Sequence, residues 1–87
     1  MAIVFISAML QPWTGSVSQV RVAGRTIRTI ITSLEERFPG VKECLLQDSD
    51  LRPDVAIAVD GEMDLNGLAE QVGVDSEVHV IPPISGG

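Results

Sequence analysis

One long helical stripe dominates the 87-residue chain. Ile27, Ile30, Ile31, Leu34 and Phe38 recur at i, i+3, i+4, i+7 and i+11, the spacing of one face of an α-helix. Arg28, Thr32, Glu35 and Glu36 fall off that stripe and can face water. Thr26 is a good N-cap, because its side-chain oxygen can accept a backbone N–H of the first turn. Pro39-Gly40 stops the helix, since proline disfavours a helical residue before it and glycine tolerates the reversal. A single amphipathic helix of this length has one apolar face to bury, and the rest of the chain must supply the surface that buries it.

That surface reads as strands. Ala2 to Ala8 is a β-branched apolar run, short enough to be a strand buried on both faces. Gln11 to Ser16 reads as a loop, and Val17 to Val22 as a second strand completing a hairpin that ends at Ala23-Gly24. Val41 to Leu46 adds a short helical turn. Val55 to Val59 is the clearest strand, with Val55, Ile57 and Val59 on one side and Ala56 and Ala58 on the other. Asp60-Gly61 is a two-residue hairpin signal, followed by a short return strand at Glu62 to Asp64. Leu65 to Val72 reads as a brief helix ended by Gly73. Glu77 to Ile81 is the last strand, with Val78 and Val80 inward and His79 and Ile81 outward. The order β, β, long α, β, short β, β predicts an α+β fold: a small mixed sheet with one main helix packed across it.

Composition narrows the function. The length supports one core, and 45% hydrophobic residues is ordinary for a globular domain. A net charge of −6 argues against nucleic acid as a partner, because phosphate contacts need a cationic surface. The single cysteine, Cys44, excludes a disulfide framework and falls short of the thiolates an iron–sulfur cluster needs. Cys44 and His79 have no third residue to complete a catalytic set, and Cys44 lies in an apolar run as a small hydrophobe would. No metal set and no catalytic set of its own is therefore expected. No apolar run approaches a membrane span and no basic segment precedes an apolar one at the N-terminus, so no membrane and a cytoplasmic location are the expectation. The charge is uneven. Residues 1–43 hold five basic residues against three acidic ones, and residues 44–87 hold nine acidic residues against Arg52 alone. Such an acidic half aids solubility and can also meet a basic partner surface.

After the last strand the chain reads Pro82-Pro83-Ile84-Ser85-Gly86-Gly87. The prolines remove two backbone donors and favour an extended path, so residues 1–81 are expected as the folded domain and 82–87 as an extended tail. Six extended residues reach roughly 20 Å at ~3.3 Å each. Gly86 and Gly87 carry no side chains and can enter a channel too narrow for other residues. The group delivered is the Gly87 α-carboxylate, positioned by Ser85, Ile84 and Pro83. A partner enzyme supplying ATP and Mg²⁺ could turn it into an acyl-adenylate, which a sulfur or amine nucleophile can open; this chain has no phosphate cradle of its own. Ala56, Ala58, His79 and Ile81 share a sheet face that no helix covers, and form a candidate partner-docking patch that leads into the tail.

These features resemble the ubiquitin-like sulfur carriers of the β-grasp fold, the MoaD/ThiS family. Val4-Phe5 through Ala8, Leu10 and Thr14-Gly15 are similar to that family's first strand and loop. Val22, Gly24 and Thr26 are similar to its second strand and helix entry, and Leu34 to Pro39 to its helix end. The terminal hexapeptide is similar to the ending of the small subunit of molybdopterin synthase, with Ile84 where valine is common. Leu10 to Gly15 instead resembles carriers that feed cysteine biosynthesis. The resemblance implies adenylation of Gly87 by an E1-like enzyme, conversion to a thiocarboxylate by a sulfurtransferase or sulfide source, and delivery to an acceptor. That acceptor would be a molybdopterin synthase large subunit or a cysteine synthase-type enzyme. Two alternatives share the fold: a protein modifier conjugated to lysines through the same tail, and a non-catalytic interaction domain.

Overall fold

The first and last strands of the described chain lie side by side at the middle of the sheet. The computed structural model describes residues 1–7, 10–15, 17–53, 55–64 and 66–81, with backbone alone at Gln11 and Pro12. Strand β1 (Ala2–Ile6) pairs in parallel with β7 (Glu77–Ile81) and antiparallel with β2 (Gln19–Val22). On the other side of β7, β5 (Ala56–Val59) runs antiparallel to it and turns into β6 (Glu62–Met63). The order β2-β1-β7-β5-β6 is a mixed five-stranded sheet with β7 at its centre.

Alternation decides which face the helix covers. Ala2, Val4, Ile6, Val20, Val22, Ile57, Val78 and Val80 are buried under α2 (Ile27–Arg37), which contributes Ile27, Ile30, Ile31 and Leu34. The expectation that the first strand is buried on both faces is corrected: Ile3 and Phe5, at the alternate positions, are only half-buried, because no described element lies over that side. That strand also ends at Ile6, and Ala8 lies outside the described residues.

Helix α2 starts where Thr26 predicted. Thr26 Oγ1 accepts from the Thr29 N–H at 3.3 Å, and the Thr29 hydroxyl accepts in return from the Thr26 N–H at 3.1 Å. This is a capping box with threonine in the place glutamate usually holds. The helix end at Pro39-Gly40 is also as expected, with Gly40 left-handed at φ 103°. Two side chains on the flank of α2 then close the sheet edge. Ser33 Oγ donates to the Ala23 carbonyl at 2.8 Å and Arg37 Nη1 to the Arg21 carbonyl at 3.0 Å, so these two outward carbonyls near and on β2 are occupied.

Four local expectations are revised. Gln11–Thr14 forms a short helix, α1, rather than a loop; Pro12 is tolerated because the first turn needs no N–H from it. The second strand begins at Gln19, leaving Val17 exposed before it. The helical turn α3 (Val41–Leu45) is present, but after it the chain makes an unforeseen hairpin between β3 (Leu46–Gln47) and β4 (Asp50–Leu51). Its turn places Asp48 and Ser49 at φ 54° and 68°, the left-handed region an aspartate tolerates. The segment read as a helix over Leu65 to Val72 has only a 3-10 turn at Gly67–Ala69. Gly67 is left-handed at φ 61°, and Gln71 bridges Thr26 while the Ile27 N–H donates to Glu70 and the Val72 N–H to Arg25. These backbone bonds to the entry of α2 require an extended chain there. Among the described residues no helix is long and apolar enough to cross a membrane.

Candidate functional site

The uncovered sheet face is ordered row by row by strand register. Nearest the end of β7, Ile81 pairs with Ala56 of β5. In the next row Gln19, Phe5, His79, Ala58 and Met63 lie across all five strands. Farther from the chain's end, Arg21 pairs with Ile3 and Ile3 with Glu77. Ala56, Ala58, His79 and Ile81 are thus brought onto one face, as their alternation predicted. The face grades from apolar at the end of β7 to charged at its start.

Two residues of this face went unrecognised in the sequence. Phe5 stacks flat on His79, with ring centroids 4.4 Å apart and planes 3° from parallel. Met63 is 58% exposed at the β6 edge beside Ala58. The signal for Phe5 was its parity, opposite to Val4 and Ile6; the signal for Met63 was the two-residue Asp60-Gly61 turn, which sets the register of the return strand. Phe5, Ile6 and Ser7 with His79, Val80 and Ile81 line a groove of about 320 Å³ where β1 and β7 end together.

Charge sits on one flank. His79 Nε2 lies 3.9 Å from Glu77 Oε1, with the two side chains 45% and 58% exposed. Beside them Asp60, in the β5–β6 turn at φ 52°, accepts from the Glu77 N–H at 2.9 Å and from Ser76 Oγ at 2.7 Å. Those donors, the Glu77 N–H foremost, hold the Asp60 carboxyl below its ordinary value.

Cys44 is remote from this chemistry. It is half-buried on α3 and packs against the helix-side core, across the sheet from His79. Burial chiefly, then the Glu43 and Glu35 carboxylates, push its thiol up despite the opposing pull of Arg52, which leaves it less nucleophilic than an exposed cysteine. Trp13, 44% exposed, lies against Gly40. Arg21, Arg25 and Arg28 are exposed. Among the described residues no group of three or more His, Cys, Asp or Glu could hold a metal ion. Pro83, Ile84, Ser85, Gly86 and Gly87 lie outside the described residues, and the last residue described, Ile81, ends the central strand of the sheet.

Comparison with known proteins gives this architecture a family. The profile of the ThiS family matches residues 4–87. The sulfur carrier protein CysO of Mycobacterium tuberculosis is 32% identical over 90 residues, covering 97% of this chain and 96% of that protein. The molybdopterin synthase sulfur carrier subunit of Pyrenophora tritici-repentis is 31% identical over 80 residues, covering 92% and 83%. The crystal structure of the Amycolatopsis orientalis BexX/CysO complex contains a chain that matches at a TM-score of 0.94 with 27% identity, each chain covered in full. Sheet order, single long helix and sequence therefore agree: the chain belongs to the ThiS family, a sulfur carrier of the ThiS/MoaD kind on the ubiquitin-like β-grasp fold.

Proposed function

We propose that the chain carries sulfur on its own C-terminus, as a co-substrate rather than as an enzyme. In this reading an E1-like enzyme binds ATP and Mg²⁺ and joins the Gly87 carboxylate to the α-phosphate, releasing pyrophosphate. Hydrosulfide then displaces AMP and leaves a Gly87 thiocarboxylate. Where a sulfurtransferase persulfide is the nucleophile, AMP leaves with formation of an acyl disulfide. A second thiol reduces that bond, being itself oxidised to a disulfide, and releases the thiocarboxylate. That group gives its sulfur to the acceptor enzyme's substrate, and water hydrolyses the remaining acyl bond to return Gly87 as a carboxylate. Gly86 provides clearance in the partner's channel, and Ser85, Ile84 and Pro83 position the tail. The outer sheet face around Ala56, Ala58, His79 and Ile81 is the surface the activating enzyme grips.

The observation that carries this reading is the extent of the family match, which runs through Gly86 and Gly87 rather than stopping at Ile81, the last described residue. The central position of β7 adds support, since the strand that leads into residues 82–87 has hydrogen-bonded neighbours on both sides. The acceptor is a molybdopterin-type or a cysteine-type synthase; relatives named for molybdopterin synthase and as CysO match at similar identity.

The test is ATP–pyrophosphate exchange by the adenylating enzyme of the same organism, with this chain as its substrate. Exchange with the full chain, and none after deletion of Gly87 with the far-ultraviolet spectrum unchanged, is the expected result. Exchange supported equally by the deleted chain would overturn the proposal.

A further inference from the structure

The outer sheet face carries a directional feature beyond its apolar character. Phe5 covers one side of the His79 ring, and the stacking runs across the strands, from β1 to β7. The opposite side of that ring therefore looks toward β5, where its register partner is Ala58. A methyl group cannot cover an imidazole. Ala58 and Ala56 form a low shelf on β5, walled by His79 and Ile81 on β7 and, beside Ala58, by exposed Met63 on β6.

Charge picks out one end of the shelf. Glu77 stands two residues from His79 on the same face, its carboxylate 3.9 Å from the imidazole, and Asp60 lies beside Glu77. The opposite flank of the face carries Arg21. A cationic group is thus drawn to the β5–β7 side and repelled from the β1–β2 side. At the β2 edge, two outward carbonyls are already taken by Ser33 and Arg37 of α2, which further disfavours approach there.

A planar cation suits this shelf better than a point charge. A guanidinium can lie flat on the open side of an aromatic ring while its N–H groups reach a carboxylate, whereas an ammonium is more strongly hydrated and lacks the flat face. We propose that the Ala56–Ala58 shelf receives an arginine of the activating enzyme, stacked on His79 and paired with Glu77, and that this contact sets the orientation in which the enzyme binds the carrier. This inference rests on the reading that such an enzyme activates Gly87 and grips this face.

The experiment is ATP–pyrophosphate exchange by the adenylating enzyme of the same organism, comparing the full-length wild type with Glu77→Gln and Ala58→Leu at several salt concentrations. The expected result is a KM for the carrier raised about fivefold or more by each change, with kcat within about twofold of wild type. Loss of the carboxylate should also flatten the salt dependence of KM, because a rim charge pair is screened by ions. Glu77 is exposed, so its variant keeps the test decisive if Ala58→Leu melts early. An unchanged KM for both variants overturns the proposal. A raised KM for Ala58→Leu alone also overturns it, since the shelf then holds an uncharged side chain. Absence of exchange with the wild type overturns the carrier reading itself and this inference with it, which separates the two failures.

Discussion

Ser76 donates its hydroxyl to the Asp60 carboxylate at 2.7 Å, tying the turn between β5 and β6 to the entry of the central strand β7. The same oxygen accepts the Gly73 N–H at 2.8 Å, and Ser76 is buried. Replacing Ser76 with alanine therefore strands a backbone donor and removes a carboxylate partner. Ser76→Ala is expected to lose about 1–3 kcal/mol of unfolding free energy, measured by urea denaturation.

Asp60 gives the same contact a pH signature. Its carboxyl is held below the ordinary value of 3.8 by the Glu77 N–H and the Ser76 hydroxyl. An acid with a lowered folded value contributes stability that is complete above the unfolded value and is lost as pH falls through the folded one. The wild type should thus lose stability below pH 3.8 more steeply than Asp60→Asn. Urea midpoints collected from neutral pH downward check this, and parallel curves would exclude the contribution.

Asp64 is expected to behave with the opposite sign. Its Oδ1 accepts the Asn66 N–H at 2.7 Å, while Oδ2 is buried with no hydrogen-bond partner. Burial first, and then the neighbouring Glu70 carboxyl, raise its value above 3.8, against the pull of the Asn66 and Gly67 N–H groups. The charged form is penalised in the fold, fully above the folded value and not below the unfolded one. Asp64→Asn should therefore raise the urea midpoint at neutral pH, with the gain vanishing below pH 3.8.

Trp13 reports on the seam between α1 and the end of α2. Gly40 is left-handed, its N–H is held by both oxygens of Glu35 at 3.1 Å, and an added Cβ would sit 2.6 Å from the Trp13 ring. Gly40→Ala should cost about 1–3 kcal/mol from backbone strain and displacement of the indole. The fluorescence of this sole tryptophan should shift toward longer wavelength as the ring moves into water.

How legible this fold is in the chain depends on the range of the interaction. The stripe Ile27 to Phe38, the Thr26 cap and the Asp60-Gly61 turn are local signals, and each lies where its own residues demand. The β3–β4 hairpin hides because its strands are two residues long, too short for an alternating pattern, and only the Asp48-Ser49 turn marks it. The stretch after Leu65 misleads because its apolar spacing fits a helix, while its conformation is set by bonds to Arg25, Thr26 and Ile27, about 45 residues earlier in sequence. The outer face was half legible. Ala56, Ala58, His79 and Ile81 follow from alternation, but Phe5 needs the β1–β7 pairing, which joins the two ends of the chain.

The central claim concerns one functional group, and the intact mass of the chain reads it directly. The protein is to be isolated with Gly87 as a free C-terminus from cells expressing its adenylating enzyme and sulfur source, and fragmented to locate any change. The account predicts a population heavier by the difference between sulfur and oxygen, placed on Gly87 and lost on alkaline hydrolysis or transfer to the acceptor. A chain that stays unmodified under these conditions, or that is recovered instead joined through Gly87 to lysines of other proteins, would contradict it.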